Sequence, residues 1–242
     1  MALTEAYFDA SGTHEEAKDL CLAGYIFRAE AALTFDGDWR AMLARYELPY
    51  FHMKECAHAS GVFKHLGHEG CDAAAREAIE VIKRHAAQGI AFSVDKSIAA
   101  ELRHGSVWRN AYSFIVGQVF FAIRDWALAD PTKSPVACLF ERGDEGRGQA
   151  IEAAQAVLDA PDFKEQCRIS TFAWADQNEE TPLQAADMLA WHINLWRGRR
   201  RKGVIQKRGD FKSLLGMPMV YHHWDRQAVD QLSAIRRPSG RG

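Results

Sequence analysis

The chain predicts an α/β fold: a mixed sheet with an antiparallel start and a parallel continuation, flanked by helices. Two apolar runs with strand composition, residues 3–9 (LTEAYFD) and 20–28 (LCLAGYIFR), are joined by the short polar stretch ASGTHEEAKD, as in an antiparallel pair. Strand-like and helix-like segments then alternate, which implies parallel strands connected by crossovers. At 242 residues and 48% apolar composition there is ample material for a core.

The elements follow in order. Residues 31–47 carry Leu33, Phe35, Trp39, Met42, Leu43 and Tyr46 at helical spacing and stop before Pro49, and YFHMKEC (50–56) reads as an extended strand. A helix over 72–88 ends before Gly89 and leads into a strand at 90–97. The longest helix is expected from about Trp108 to Leu128, ending at Asp130-Pro131. A strand (136–141), a helix (149–159, broken by Pro161), a strand (167–175) and a final helix complete the pattern. Thr181 and Pro182 read as N-cap and first position of that helix, which runs through Trp196. Residues 1–196 are thus expected to form the domain. Residues 197–242 form a basic extension with the short run FKSLLGMPMVYHHW, and its end, RRPSGRG, is expected to be disordered.

Charge divides at the same place. The net charge is −2, but residues 1–196 carry 18 Lys/Arg against 29 Asp/Glu, and residues 197–242 carry 12 against 3. A basic segment beside an acidic body suits a polyanion held by one and metal held by the other; a solvated basic tail explains the charge equally well. Arg197, Arg199, Arg200, Arg201 and Lys202 are the candidate nucleic-acid contacts. No apolar run is long enough to span a bilayer, and the N-terminus lacks a basic-then-apolar signal, so a cytoplasmic protein is expected. Five scattered cysteines without a CxxC pair are expected to be reduced.

Three acids stand out. Asp9 ends the first strand, Glu141 ends the strand VACLFE, and Asp187 lies on the apolar face of the last helix with Leu183, Ala186, Ala190, Trp191 and Ile193. Sites in α/β sheets gather beyond the carboxyl ends of strands. A carboxylate in packed surroundings must be paired, protonated or bound to a cation. Convergent carboxylates suit Mg2+ or Mn2+, and two such ions activate a water and stabilise the leaving oxygen of a phosphodiester. An Asp that closes a strand is also a common turn residue, which leaves Asp187 the most informative of the three.

Three motifs carry a resemblance to the DUF3800 family: YFDASG (Tyr7–Gly12) followed by a second strand, YFHMKEC near Pro49, and ADQNEETPLQAADMLAW. The resemblance covers roughly residues 3–196. It implies a ribonuclease H-like fold with Asp9, Glu141 and Asp187 at the metal-binding positions and Glu55 as a fourth acid. Ala10 stands where typical members have Glu. Glu141 replaces a more common Asp, with Asp144 and Glu145 close enough to substitute, and Asp176 matches a frequently acidic position. The function this implies is metal-dependent phosphodiester hydrolysis. The alternative is a non-catalytic nucleic-acid-binding or regulatory module in which Asp187 is a hydrogen-bonded structural acid.

Other constellations are weaker. His52, Cys56, His58, His65, His68 and Cys71 are zinc-type ligands, but their spacing matches no standard pattern. Ser11 lies outside any G-x-S-x-G elbow, and ERGDEGRGQ (141–149) lacks the phosphate-loop spacings, although Arg142 and Arg147 are candidates to face phosphate. Trp196 and Trp224 are the tryptophans to consider for base stacking.

Overall fold

The computed structural model describes residues 3–98, 110–142, 151–152, 154–155 and 159–236. Strands β1 (Thr4–Ser11), β2 (Asp19–Phe27), β3 (Ala86–Asp95), β4 (Val136–Glu141), β5 (Ile169–Ala175) and β6 (Met219–Trp224) form one sheet in the order β5-β4-β1-β2-β3-β6. β2 runs antiparallel to β1 and β3, and every other pairing is parallel. All nine residues of β2 are buried, as befits a central strand covered on both faces.

Alternation along the strands separates two cores. Tyr7, Cys21, Ala23, Tyr25, Phe27 and Ala91 face a layer built from α1 (Ala29–Arg45), α2 (Met53–Ala57), α3 (Gly67–His85), α6 (Thr181–Arg201) and α7 (Gly209–Leu214). Ala6, Phe8, Leu22, Ile26, Phe92 and Phe140 face α4 (Ala111–Ala129), joined by α5 (Pro161–Cys167) and α8 (Arg226–Arg236). No described helix is long and apolar enough to cross a membrane. All five cysteines are free and buried.

Several elements differ from their expected form. The segment 50–56 is not a strand: α2 starts at Met53, because Met, Lys, Glu and Ala favour helix and its first amide, Met53, finds an acceptor on α6, as does the Phe51 amide just before it. Glu180, not Thr181, takes the N-cap position of α6 and makes no side-chain capping bond, while the Thr181 hydroxyl donates to Asp36 at 2.8 Å. That helix also continues past Trp196 to Arg201, with arginines in the last turn where they complement the helix dipole. Pro161 opens α5 at a position where its missing N–H costs nothing, and Arg168, at φ 53°, turns the chain into β5. FKSLLGMPMVYHHW supplies α7 and β6, and β6 pairs with β3, so the sheet extends beyond residue 196. Trp108, Asp144, Glu145, Arg147, most of the expected helix 149–159 and residues 237–242 lie outside the described residues.

The end of α6 is fastened to the sheet. Arg201 donates to both oxygens of Asp19 (2.9 and 2.6 Å) and to Asp95 (2.9 Å). Asp19 is almost fully buried, so Arg201→Met would strand its charge. The expected loss is about 2–3 kcal/mol, below the value for a fully buried pair because Arg201 is partly solvated. Urea denaturation at neutral pH measures it.

Candidate carboxylate site

β1 and β4 pair in parallel up to Phe8 and Phe140, and Asp9 and Glu141 each follow that pair. Neighbouring strands lie about 4.8 Å apart, and alternation puts both acids on the face of Tyr7 and Leu139, toward α6. Asp9 is buried, and its Oδ1 accepts the Ala10 amide at 2.8 Å. α6 packs across β1 and β2, and Asp187 on it lies within electrostatic reach of Glu141.

Asp187 is 9% exposed. Its Oδ2 accepts the Met53 amide at 2.7 Å, and its Oδ1 lies 4.0 Å from His52 Nε2. Burial pushes its carboxyl up to about 6, and the negative charges of Glu141 and Glu55 add to the rise; the Met53 amide and His52 oppose it. Asp187, Glu141 and Glu55 therefore share one field, which joins a strand end, a helix and the segment before α3.

Glu55 is held locally. Tyr50 OH donates to it at 3.3 Å, the Val62 amide at 3.2 Å, and His52 Nδ1 lies 3.4 Å away. Gly61 makes this possible: its φ is 55°, and a Cβ there would stand 2.1 Å from Glu55 Oε2. Gln184 sets the segment in place one turn before Asp187. Its Oε1 accepts Trp39 Nε1 (2.9 Å) and the Phe51 amide (2.8 Å), and its Nε2 donates to the Gln177 carbonyl (2.8 Å). Residues 51–53 are thus threaded onto two side chains of α6.

The other candidates are placed as follows. Asp176 accepts from the Asn178 amide and side chain and serves a turn. Ser11 accepts from Asn194 at 2.9 Å. Of the zinc-type ligands, Cys56 donates to the Cys71 carbonyl in the core, Cys71 donates to the Phe63 carbonyl, and His65 contacts the Tyr46 carbonyl, while His52 faces the acids. Arg142 reaches the Trp174 carbonyl at 3.5 Å. Arg197, Arg199 and Arg200 lie on the last turns of α6 and Lys202 follows them, but Arg201 is committed to Asp19 and Asp95. Trp196 packs on Phe211 and Tyr221, and Trp224 on Phe114 and His222.

Two contributors were not legible as site residues. His52 falls among the zinc-type ligands of the sequence, and the one signal for Gln184 is its place in PLQAAD, three residues before Asp187. Among the described residues no three or more His, Cys, Asp or Glu side chains are grouped closely enough to hold a metal ion. The donor chemistry is that of a hard divalent cation: the acids offer oxygen donors, and the charges of Glu141 and Glu55 that help to raise Asp187 are ones a cation would offset. No family model matches the chain, and no curated protein or solved structure shows significant similarity to it.

Proposed function

We propose that the protein is a divalent-metal-dependent phosphodiester hydrolase acting on nucleic acid, of the DUF3800 type with a ribonuclease H-like fold. The observation that carries this reading is Asp187: a buried helical carboxylate that shares a field with Glu141 and Glu55 on the carboxyl side of a largely parallel sheet. In this reading Asp9, Glu141 and Asp187 hold Mg2+ or Mn2+, with Glu55 beside them. The cation, when bound, supplies a water of lowered pKa and neutralises charge on the scissile phosphate. The chain's own part is placement. β1 and β4 end in neighbouring acids, α6 would bring the third, and the Met53 amide fixes one oxygen of Asp187 so that the other faces His52.

A second reading has an observation of its own. The Met53 amide bond makes Asp187 an acceptor for the first turn of α2, a sufficient structural role for the acid in a non-catalytic nucleic-acid-binding or regulatory module. Cleavage separates the two. With Mg2+ or Mn2+, wild type is expected to cut at least one of labelled RNA, DNA or hybrid, and EDTA, Asp9→Asn or Glu141→Gln should each lower the rate by about 100-fold or more. Absence of cutting on all three substrates would favour the module.

A further inference from the structure

The last turns of α6 and the loop after it carry Arg197, Arg199, Arg200, Arg201, Lys202, Lys207 and Arg208 with no acid among them. Arg201 is held by Asp19 and Asp95, and Arg208 by Asp210. None of the remaining five makes an ion pair among the described residues. Two of them are ordered by Trp196, whose ring has Lys207 Nζ at 4.8 Å and Arg200 Cζ at 5.7 Å from its centroid. The same ring packs on Phe211 and Tyr221, so the cations are mounted on the core. Beside them the loop exposes Val204 and Ile205, the latter 74% exposed.

Geometry ties this cationic pad to the acids. Asp187 and Arg200 both lie on α6, with Lys207 in the loop after it, and the 13 residues from Asp187 to Arg200 span about 20 Å at the helical rise. Arg201, bonded to the start of β2 and the end of β3, anchors the helix end at the carboxyl rim of the sheet, the rim at which β1 and β4 end near Asp9 and Glu141. A nucleic-acid strand advances about 3.4 Å per nucleotide, so roughly six nucleotides separate a phosphate at the acids from one at the pad.

We infer that Arg200 and Lys207, mounted on Trp196, form a phosphate-binding pad for a polymeric nucleic acid whose chain runs on to the carboxylates, with Val204 and Ile205 offering apolar surface to its bases. The inference rests on the nucleic-acid reading above. It excludes mononucleotides as substrates, because they are too short to span acids and pad.

The test is fluorescence anisotropy in EDTA, where binding is read without hydrolysis, so the pad and the proposed chemistry can fail separately. Labelled single strands and duplexes of about 16 nucleotides are titrated over a salt series against wild type, Arg200→Gln/Lys207→Gln, and Lys164→Gln on α5 as a control. Wild type and the control should bind a strand or a duplex with affinity that falls as salt rises. The double variant should bind at least about tenfold more weakly, with a log–log salt slope shallower by about 1.4–1.8. Absence of oligonucleotide binding by wild type would overturn the inference. So would a double variant that matches wild type, a mononucleotide that competes as well as the oligomer, or binding to phosphatidylserine vesicles in place of oligonucleotides.

Discussion

Asp187→Asn is expected to fold, and in EDTA to be more stable than wild type at neutral pH by about 1–2 kcal/mol, while losing metal-dependent activity. The carboxyl of Asp187 ionises near 3.8 in the unfolded chain and at about 6 in the folded one. Between those values the folded state holds the extra proton, so stability falls as pH rises through the window, and above it the protein carries the cost of a buried charge. A shift of this size sets an upper bound of about 3 kcal/mol, and the amide gives part of it back because its NH2 must find a partner. Asparagine can still accept the Met53 amide through its carbonyl, so α2 keeps its first-turn acceptor. Urea midpoints at about pH 4 and pH 7 check the sign, the advantage of the variant appearing only at the higher pH. A variant less stable than wild type at both would make Asp187 a structural acid.

Gln184→Leu should cost about 2–5 kcal/mol. The Trp39 indole and the Phe51 amide both donate to its single oxygen, and both residues are fully buried, so the change leaves two donors without an acceptor at about 1–3 kcal/mol each. The Gln177 carbonyl loses its donor as well. Because residues 51–53 hang on Gln184 and Asp187, the variant should also loosen His52 and Glu55. Metal-dependent activity, where present, should then fall by more than stability alone explains. Urea unfolding gives the first effect, and a loss below about 1 kcal/mol would mean that other contacts hold the segment.

The sheet was legible because its signals are local. β1 and β2 are dense in aromatic and aliphatic residues with one polar connector between them, and VACLFE matches β4 at both ends. The segment around His52 reads as a strand in sequence and is not one, because its conformation is set from a distance: Gln184 and Asp187, more than 130 residues away, accept the amides of Phe51 and Met53. Composition showed β6 only as a short run, since its pairing with β3 depends on a long-range contact. Of the site, Asp187 could be found because an acid among Leu183, Ala186 and Ala190 violates the helical pattern. The division of labour among the arginines could not, because only the fold brings Arg201 to Asp19 and leaves Arg200 on Trp196.

A divalent cation held by Asp9, Glu141 and Asp187, as proposed, is tested most directly by the melting temperature with EDTA, Mg2+ and Mn2+ in wild type and Asp187→Asn. Ligand that binds the folded state raises the midpoint. The predicted result is a rise of several degrees with about millimolar Mn2+ in wild type that is absent in the variant. An unchanged midpoint in wild type, or an equal rise in both proteins, would contradict the claim.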